Sequence, residues 1–408
     1  MGQDCARKNN TGKAVKIMDK LKVYKEYCTG CGLCKAINQV EFQKDQKGFP
    51  YPDLQSKDVS LCDQVCPASG ALLKERPGDI WGDYEKVYLG WALDEEIRER
   101  ASSGGVLTAI CLYLLENHLV DGVIQTKTSD AVVYETQTVI SRTRAEVLAC
   151  MGSRYSISSP LETITDLIKE GERYVFVGKP CDVYALKSYM TVKKELKKQI
   201  PYTLSFFCAG MPSNEAQKKL LERLGCQEEE CRHLKYRGDG WPGYATAQKT
   251  DESSYKISYE ESWGQVLGRD VRKSCRFCLD GVGEFADIAC GDAWYLKDGR
   301  PDFSEAKGRN VIFARSKEGV ACIAGAVEQG ILHVEDYQNQ IGELALIQKY
   351  QHERKATMGA MLAALKMSGR TVPLYSRKVL RQYGKQVGVR VRGKRFLGAW
   401  KRVLTKKI

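Results

Sequence analysis

The chain has 408 residues, 43% of them hydrophobic and 28% charged, with 16 Cys but only 4 His. That length allows about two or three domains with a real core, and the scarcity of histidine argues against mixed Cys/His zinc fingers and histidine-centred catalysis. The formal net charge of +12 is uneven: from Arg354 onward there are Lys and Arg but no Asp or Glu, so a mildly acidic body carries a basic tail.

Residues 1–20 are polar and basic, lack the apolar core of a signal peptide, and read as a flexible lead. The longest apolar run, Val106 to Leu115, is too short to span a bilayer, so a cytoplasmic protein is expected. Residues 21–85 hold five cysteines, several turn residues and little helical period. So small a segment lacks a good core of its own and would be held together by its ligand. From residue 86 the texture changes. SSGGVLTAICLYLLENHLVDGVIQTK reads as glycine turn, helix, turn and strand. PLETITDLIKEGERYVFVGKPCDVYALKSYM reads as helix, buried strand, loop and helix, and PYTLSFFCAG as a strand before a helix over NEAQKKLLERLG. This alternation predicts an α/β core over 86–340 with a mixed but largely parallel sheet. Within it, 230–300 reads as β- and turn-rich, NVIFAR as a strand and 317–329 as a helix. Residues 342–366 read as helical, within a helical region 341–408 that ends in the basic tail.

Without an export signal, so many cysteines point to metal or redox use rather than disulfides. Cys28, Cys31 and Cys34 stand at C-x2-C-x2-C, and CDQVCP supplies Cys62 and Cys66 before Pro67. Iron–sulfur ferredoxin motifs combine such a triplet with a later Cys-Pro. The spacing lets three thiolates wrap one cubane, and the glycines between them let backbone N–H groups approach sulfur. Cys66 is the favoured fourth ligand and Cys62 its competitor, which predicts a small ferredoxin-like [4Fe-4S] segment. The alternative is structural zinc on Cys28, Cys31, Cys62 and Cys66, which does not need Cys34; the chain would then be a zinc-stabilised binding protein. A second set is dispersed: Cys275 and Cys278 in KSCRFC, Cys181 and Cys208 at the ends of two predicted strands. C-terminal ends of neighbouring strands converge on one edge of an α/β sheet, so these four thiols could meet there. Cys290 could substitute for one of them. Cys5, Cys111, Cys150, Cys226, Cys231 and Cys322 show no partner pattern and read as structural.

Ser102-Ser103-Gly104-Gly105 leads directly into a helix and would present N–H groups to an anion. No G-x-G-x-x-G follows a strand, so a dinucleotide fold of that type is not supported. The blocks ASSGGVLTAICLYLLENHLVDGV, MGSRYSIS, VFVGKPCDVYALKSY, FFCAGMPS and SCRFCLDGVGEFADIACGDAW, in this order, resemble the beta-subunit family of deazaflavin (coenzyme F420) hydrogenases and dehydrogenases. That family includes plant hydroxymethyl-chlorophyll reductase. The resemblance runs from about residue 20 to 330 and implies FAD and one or two [4Fe-4S] clusters. It implies a flavin site at Ser103, Gly104 and Gly105 and again at Gly152, Ser153 and Tyr155. Lys179 and Pro180 would flank the ligand Cys181, with Cys208, Cys275 and Cys278 completing the core cluster. The amino-terminal cysteines match the extra ferredoxin-like segment of longer members. The chain departs from the family at Lys179 and Asp182, where Thr and Gln are usual, at Ala209 in place of His, and at Ala293 in place of Trp. The ligands are untouched by these departures; the substrate is left open.

The resulting expectation is an oxidoreductase with two [4Fe-4S] clusters and FAD. It would pass electrons between a one-electron donor, such as a ferredoxin, and an organic two-electron acceptor. An F420-reducing or F420-oxidising subunit of a larger complex is the alternative. Lys179, Asp182, Arg154 and Asp292 are the candidate proton donors or anion holders. In the tail, Phe396, Leu397, Trp400, Val403, Leu404 and Ile408 share a helical face ringed by cations, a pattern that suits either an anionic membrane surface or packing on the chain's own domain. Nucleic acid is not expected, and self-association is left open.

Overall fold

The computed structural model describes residues 21–54, 60–69 and 78–405. The expected flexible lead lies outside them, as does Ile408. Its centre is an eight-stranded sheet in the order Leu332–Asp336, Lys86–Ala92, Asn310–Ala314, Ile288–Asp292, Tyr202–Phe206, Tyr174–Gly178, Gly122–Thr128 and Thr136–Ser141. The four strands from Ile288–Asp292 to Gly122–Thr128 run parallel. Every other pairing in this sheet is antiparallel. The sheet is mixed as expected, but only its middle is parallel. The reason is local: Thr136–Ser141 returns from its neighbour through a short turn, and Asn310–Ala314 follows a small hairpin, Tyr295–Lys297 with Arg300–Asp302. Neither connection contains the crossover helix that a parallel pair requires.

The central strands are apolar on both faces because both faces are covered. Val106–Glu116 and Lys317–Glu328 bury one face against Val123, Val175, Leu204 and Ile312. Pro180–Val192 and Lys349–Met367 cover the other, where Ile124, Phe176, Ala289 and Phe313 lie. The loop expected between the strand Tyr174–Gly178 and the next helix shrinks to Lys179 alone. Pro180 opens the helix, where a missing N–H costs nothing. The stretch 230–300 is β-rich, with a three-stranded antiparallel sheet (Cys231–Lys235, Tyr244–Lys249, Ser254–Ser258), but a wide helical turn, Glu260–Val266, interrupts it.

The amino-terminal segment has two short helices, Leu33–Asn38 and Ser60–Val65, and a hairpin of Phe42–Lys44 with Pro50–Pro52. Its Val23, Tyr24, Tyr27 and Leu33 join the apolar cluster under the large sheet rather than forming one of their own. At the other end, Arg377–Gly384 and Val389–Leu404 both pack on Lys349–Met367. Arg354 and Lys355, which open the run of unopposed cations in the sequence, are buried. No helix among the described residues is long and apolar enough to cross a membrane.

Candidate functional site

The parallel strands Tyr174–Gly178, Tyr202–Phe206 and Ile288–Asp292 end on one edge, and the chemistry gathers just beyond them. Cys181 lies in the first turn of the helix begun by Pro180. Cys208 follows its strand by two residues, and its N–H donates to Gly281 O at 2.8 Å. Cys275 sits in the short helix Lys273–Arg276, where its N–H bonds Arg272 O at 3.0 Å. Cys278 follows one turn later and donates its thiol to Asp280 O at 2.9 Å. The four thiols feel one another's charge: Cys181 that of Cys208 and Cys278, Cys208 that of Cys275, and Cys278 that of both Cys275 and Cys208. Burial, reinforced by these neighbours, pushes Cys208 up to about 11, Cys278 to about 12, and Cys181 well above the usual thiol range.

Two cations stand beside them. Lys179 Nζ donates to Asp182 Oδ2 at 2.8 Å and to Ser158 Oγ at 2.9 Å, and the Lys179 N–H also binds Asp182 Oδ2 at 3.0 Å. Burial raises the Asp182 carboxyl against the pull of Lys179. For Lys179, burial acts downward, but Asp182 and Cys181 outweigh it. The buried Oδ1 of Asp182 has no hydrogen-bond partner. Arg354 arrives from the helix Lys349–Met367. Its Nη2 donates to Cys208 O at 3.2 Å and to Gln351 Oε1 at 2.6 Å, and its Nη1 to Cys275 O at 3.5 Å. A Cβ on Gly281 would lie 1.6 Å from Arg354 Nη2, so the glycine leaves room for the guanidinium where it stands.

The amino-terminal thiols form a second gathering. Cys34 feels Cys31, Cys28, Cys66 and Cys62 in that order, and Cys66 feels Cys31, Cys28 and Cys62. Gly30 and Gly32 take left-handed φ of 74° and 89°, which turns the Gly30 N–H toward Cys28 Sγ at 3.3 Å. Burial raises Cys31 to about 12, and Cys34 and Cys66 rise for the same reason. Among the described residues, no three Cys, His, Asp or Glu side chains group closely enough for a single metal ion. A small pocket of about 40 Å³ is lined both by Tyr27, Thr29, Pro67 and Ala68, chain neighbours of Cys28 and Cys66, and by Cys181 and Cys278 of the other gathering.

On the far side of the core thiols lies a cleft of about 1440 Å³, its open mouth included, between the sheet edge and the three-stranded lobe. Ser103, Gly105, Gly152, Ser153 and Tyr155 line it; Gly104 and Pro180 do not. The two blocks that the resemblance points to for a flavin are tied together, because Ser153 N–H donates to Ser102 Oγ at 2.6 Å. Ser103 Oγ donates to Arg309 O at 3.0 Å and accepts from Asn310 Nδ2 at 3.1 Å, which fixes the start of the helix Val106–Glu116. Lys179, Asp182, Arg154 and Asp292 all line the cleft. Arg154, however, spends its guanidinium on Ala149, Cys150 and Gly152 carbonyls, at 3.3, 2.7 and 3.2 Å, and so holds its loop in place. Asp292 is held by the buried Arg237 at 2.9 and 3.0 Å and by Trp241 Nε1 at 2.8 Å. Cys290 also lines the cleft, yet the thiol whose charge it feels is Cys111 rather than one of the four core thiols.

Sequence reasoning missed Arg237, Trp263, Asn310, Gln351 and Arg354. The ring of Trp263 lies 4.6 Å from that of Tyr155 on the cleft wall. A lone Arg, Asn or Trp carries no spacing signal. Arg237 stands in the turn-rich YRGDGWPG, and Arg354 reads as the first residue of the tail.

Models of the coenzyme F420 hydrogenase/dehydrogenase beta subunit match residues 87–165 with their N-terminal part and 171–340 with their C-terminal part. The coenzyme F420 hydrogenase beta subunit of Methanococcus voltae is 27% identical over 67% of this chain and 92% of its own length. The 7-hydroxymethyl chlorophyll a reductase of rice is 25% identical over 65% of this chain and 54% of its own. A chain of the F420-reducing [NiFe] hydrogenase complex of Methanosarcina barkeri superposes with a TM-score of 0.57 and 20% identity, covering 74% of this chain and all of that one. That likeness establishes a shared fold.

Proposed function

This chain belongs to the coenzyme F420 hydrogenase/dehydrogenase beta-subunit family, and from that premise we propose that it is an iron–sulfur flavoprotein oxidoreductase. The observation that carries the reading is adjacency: Cys208 lines the large cleft, while Cys181 and Cys278 line a small pocket together with Thr29 and Pro67, chain neighbours of the amino-terminal thiols. Cys181, Cys208, Cys275 and Cys278 would hold one [4Fe-4S] cluster. Cys28, Cys31, Cys34 and Cys66 would hold another, in a ferredoxin-like segment. Cys66 is preferred to Cys62 because its charge weighs more at Cys34. The thiols suit such groups: burial disfavours their thiolates, and ligation to a cationic iron core restores them. Ser103, Gly105, Gly152, Ser153 and Tyr155 line the cleft, and the N-terminus of the 11-residue helix Val106–Glu116 would supply N–H groups for the pyrophosphate of FAD. When bound, these cofactors would join single-electron transfer to two-electron chemistry.

The chain's own residues then divide the work. Arg154 and Arg237 hold the cleft walls. Lys179 keeps a proton and a positive charge between core thiols and cleft, through Asp182. The electron donor would be a ferredoxin or a similar redox protein, and the acceptor an organic molecule in the cleft. A second reading, exchange of electrons with coenzyme F420 inside a larger complex, is favoured by the names of the relatives. Purification without oxygen, a visible spectrum, and assays of flavin, iron, sulfide and zinc test the proposal. About one FAD with about eight iron and eight sulfide is expected; stoichiometric zinc without flavin would overturn it. Reduction of F420 by the isolated chain separates the two readings.

A further inference from the structure

The helix Val389–Leu404 has two apolar faces. Phe396, Ala399 and Val403 pack inward, and Arg395 binds Glu353 at 2.6 Å. The single face expected from the sequence is therefore split. At 100° per residue, Val389, Leu397, Trp400 and Leu404 fall in one stripe beside the packed face, and they are 73%, 60%, 41% and 70% exposed. Arg390, Lys394 and Lys401 follow along the outer edge of that stripe. From Arg377 to Thr405 the sequence has ten Lys and Arg and no Asp or Glu.

We propose that this stripe and its cationic edge form a docking surface for an anionic lipid bilayer, on which the helix lies flat while its other face stays packed on protein. Apolar side chains, with a tryptophan among them, beside a row of cations are what the boundary between headgroups and acyl chains accepts. The spacing of the stripe, with Gly393 included, would also fit a helical seam with a second copy. Charge decides against that occupant. Two such helices would set rows of like charge side by side, with no carboxylate on either to offset them, whereas an anionic surface offsets every cation at once. This docking is independent of the cofactor assignment.

The test uses the full-length protein purified with whatever cofactors it carries. It is sedimented with vesicles of phosphatidylcholine alone and with vesicles of equal parts phosphatidylcholine and phosphatidylglycerol. Binding to the anionic vesicles only, weakened by salt, is expected. The outward variant Leu397→Asn/Trp400→Asn/Leu404→Asn should bind at least about tenfold more weakly. The variant Arg390→Gln/Lys394→Gln/Lys401→Gln should bind on the order of a hundredfold more weakly, with thermal midpoint and visible spectrum unchanged. Wild-type protein that ignores anionic vesicles overturns the proposal, as does an outward variant that binds as well as wild type. A dimer that the outward variant abolishes, without vesicle binding by wild type, would assign the stripe to a second copy instead.

Discussion

Replacing Arg354 by Gln should lower the reduction potential of a cluster held by Cys181, Cys208, Cys275 and Cys278 by on the order of 100 mV. Arg354 is buried, and the hydrogen bonds it makes go to neutral oxygens: Cys208 O, Cys275 O and Gln351 Oε1. Its charge is therefore not cancelled by a bonded carboxylate and acts on the thiols around it. The same coupling is visible from the other side: burial acts to lower its pKa, yet Tyr350 and the thiols of Cys278, Cys208 and Cys275 hold it above the usual range. Reduction adds one electron to a buried site. At a separation of roughly 7 Å and an effective dielectric of about 20, one unit of positive charge favours that electron by about 2 kcal/mol. For a one-electron couple this is on the order of 100 mV. A potentiometric titration followed by electron paramagnetic resonance reads the shift. Arg354→Lys should recover most of it, because Lys restores the charge without the fork. A Gln variant with the wild-type potential, in protein carrying the cluster, would refute the electrostatic argument. Wild-type protein with no cluster would refute the cofactor reading instead.

Cys66→Ser should remove about four iron per chain and leave the core cluster spectrum intact, while Cys62→Ser should keep about eight; iron and sulfide assays on the two variants compare them directly. Gly281→Ala puts a Cβ 1.6 Å from Arg354 Nη2. The resulting overpacking should cost about 1–3 kcal/mol in denaturant unfolding and loosen the loop that orients Cys208 and Cys278. Asp292→Asn leaves the buried Arg237 without its counter-charge. The expected loss is roughly 2–3 kcal/mol, below that for a fully buried pair because the Asp292 side chain keeps 21% exposure. The same variant should weaken flavin retention on gel filtration, since Asp292 and Arg237 both line the cleft.

How far the sequence carried the fold depended on the length of the physical signal. Helices such as Val106–Glu116 and strands such as Asn310–Ala314 announce themselves by apolar runs bounded by turn residues, and they stand where expected. Strand direction does not, because it depends on whether a connection carries a crossover helix. The turn 129–135 and the hairpin before Asn310 reverse two strands without leaving a mark on their composition. The amino-terminal segment shows a related gap. Its apolar residues are too few for a core of their own, and beside any ligand Tyr24, Tyr27 and Leu33 join the cluster beneath the large sheet. Local composition cannot report a core shared with residues hundreds of positions away.

The thiols stand out in the sequence because their spacing is the one that ligand chemistry would require, and spacing survives in one dimension. Charges that tune such a site are under no such constraint. Arg354 reaches Cys208 across 146 residues, and Arg237 reaches Asp292 across 55. Each needs only a helix or strand to carry it to the edge. In a run of unopposed cations, the member that folds inward looks like those that stay out. Burial separates them: Arg354 and Lys355 act within the fold, while Arg390, Lys394 and Lys401 remain outside it. The basic carboxy-terminal region thus has two parts. Its first helix supplies a cation to the core thiols. Its last, packed directly on that helix and tied to it through Arg395 and Glu353, presents its cations to whatever anionic surface the protein meets.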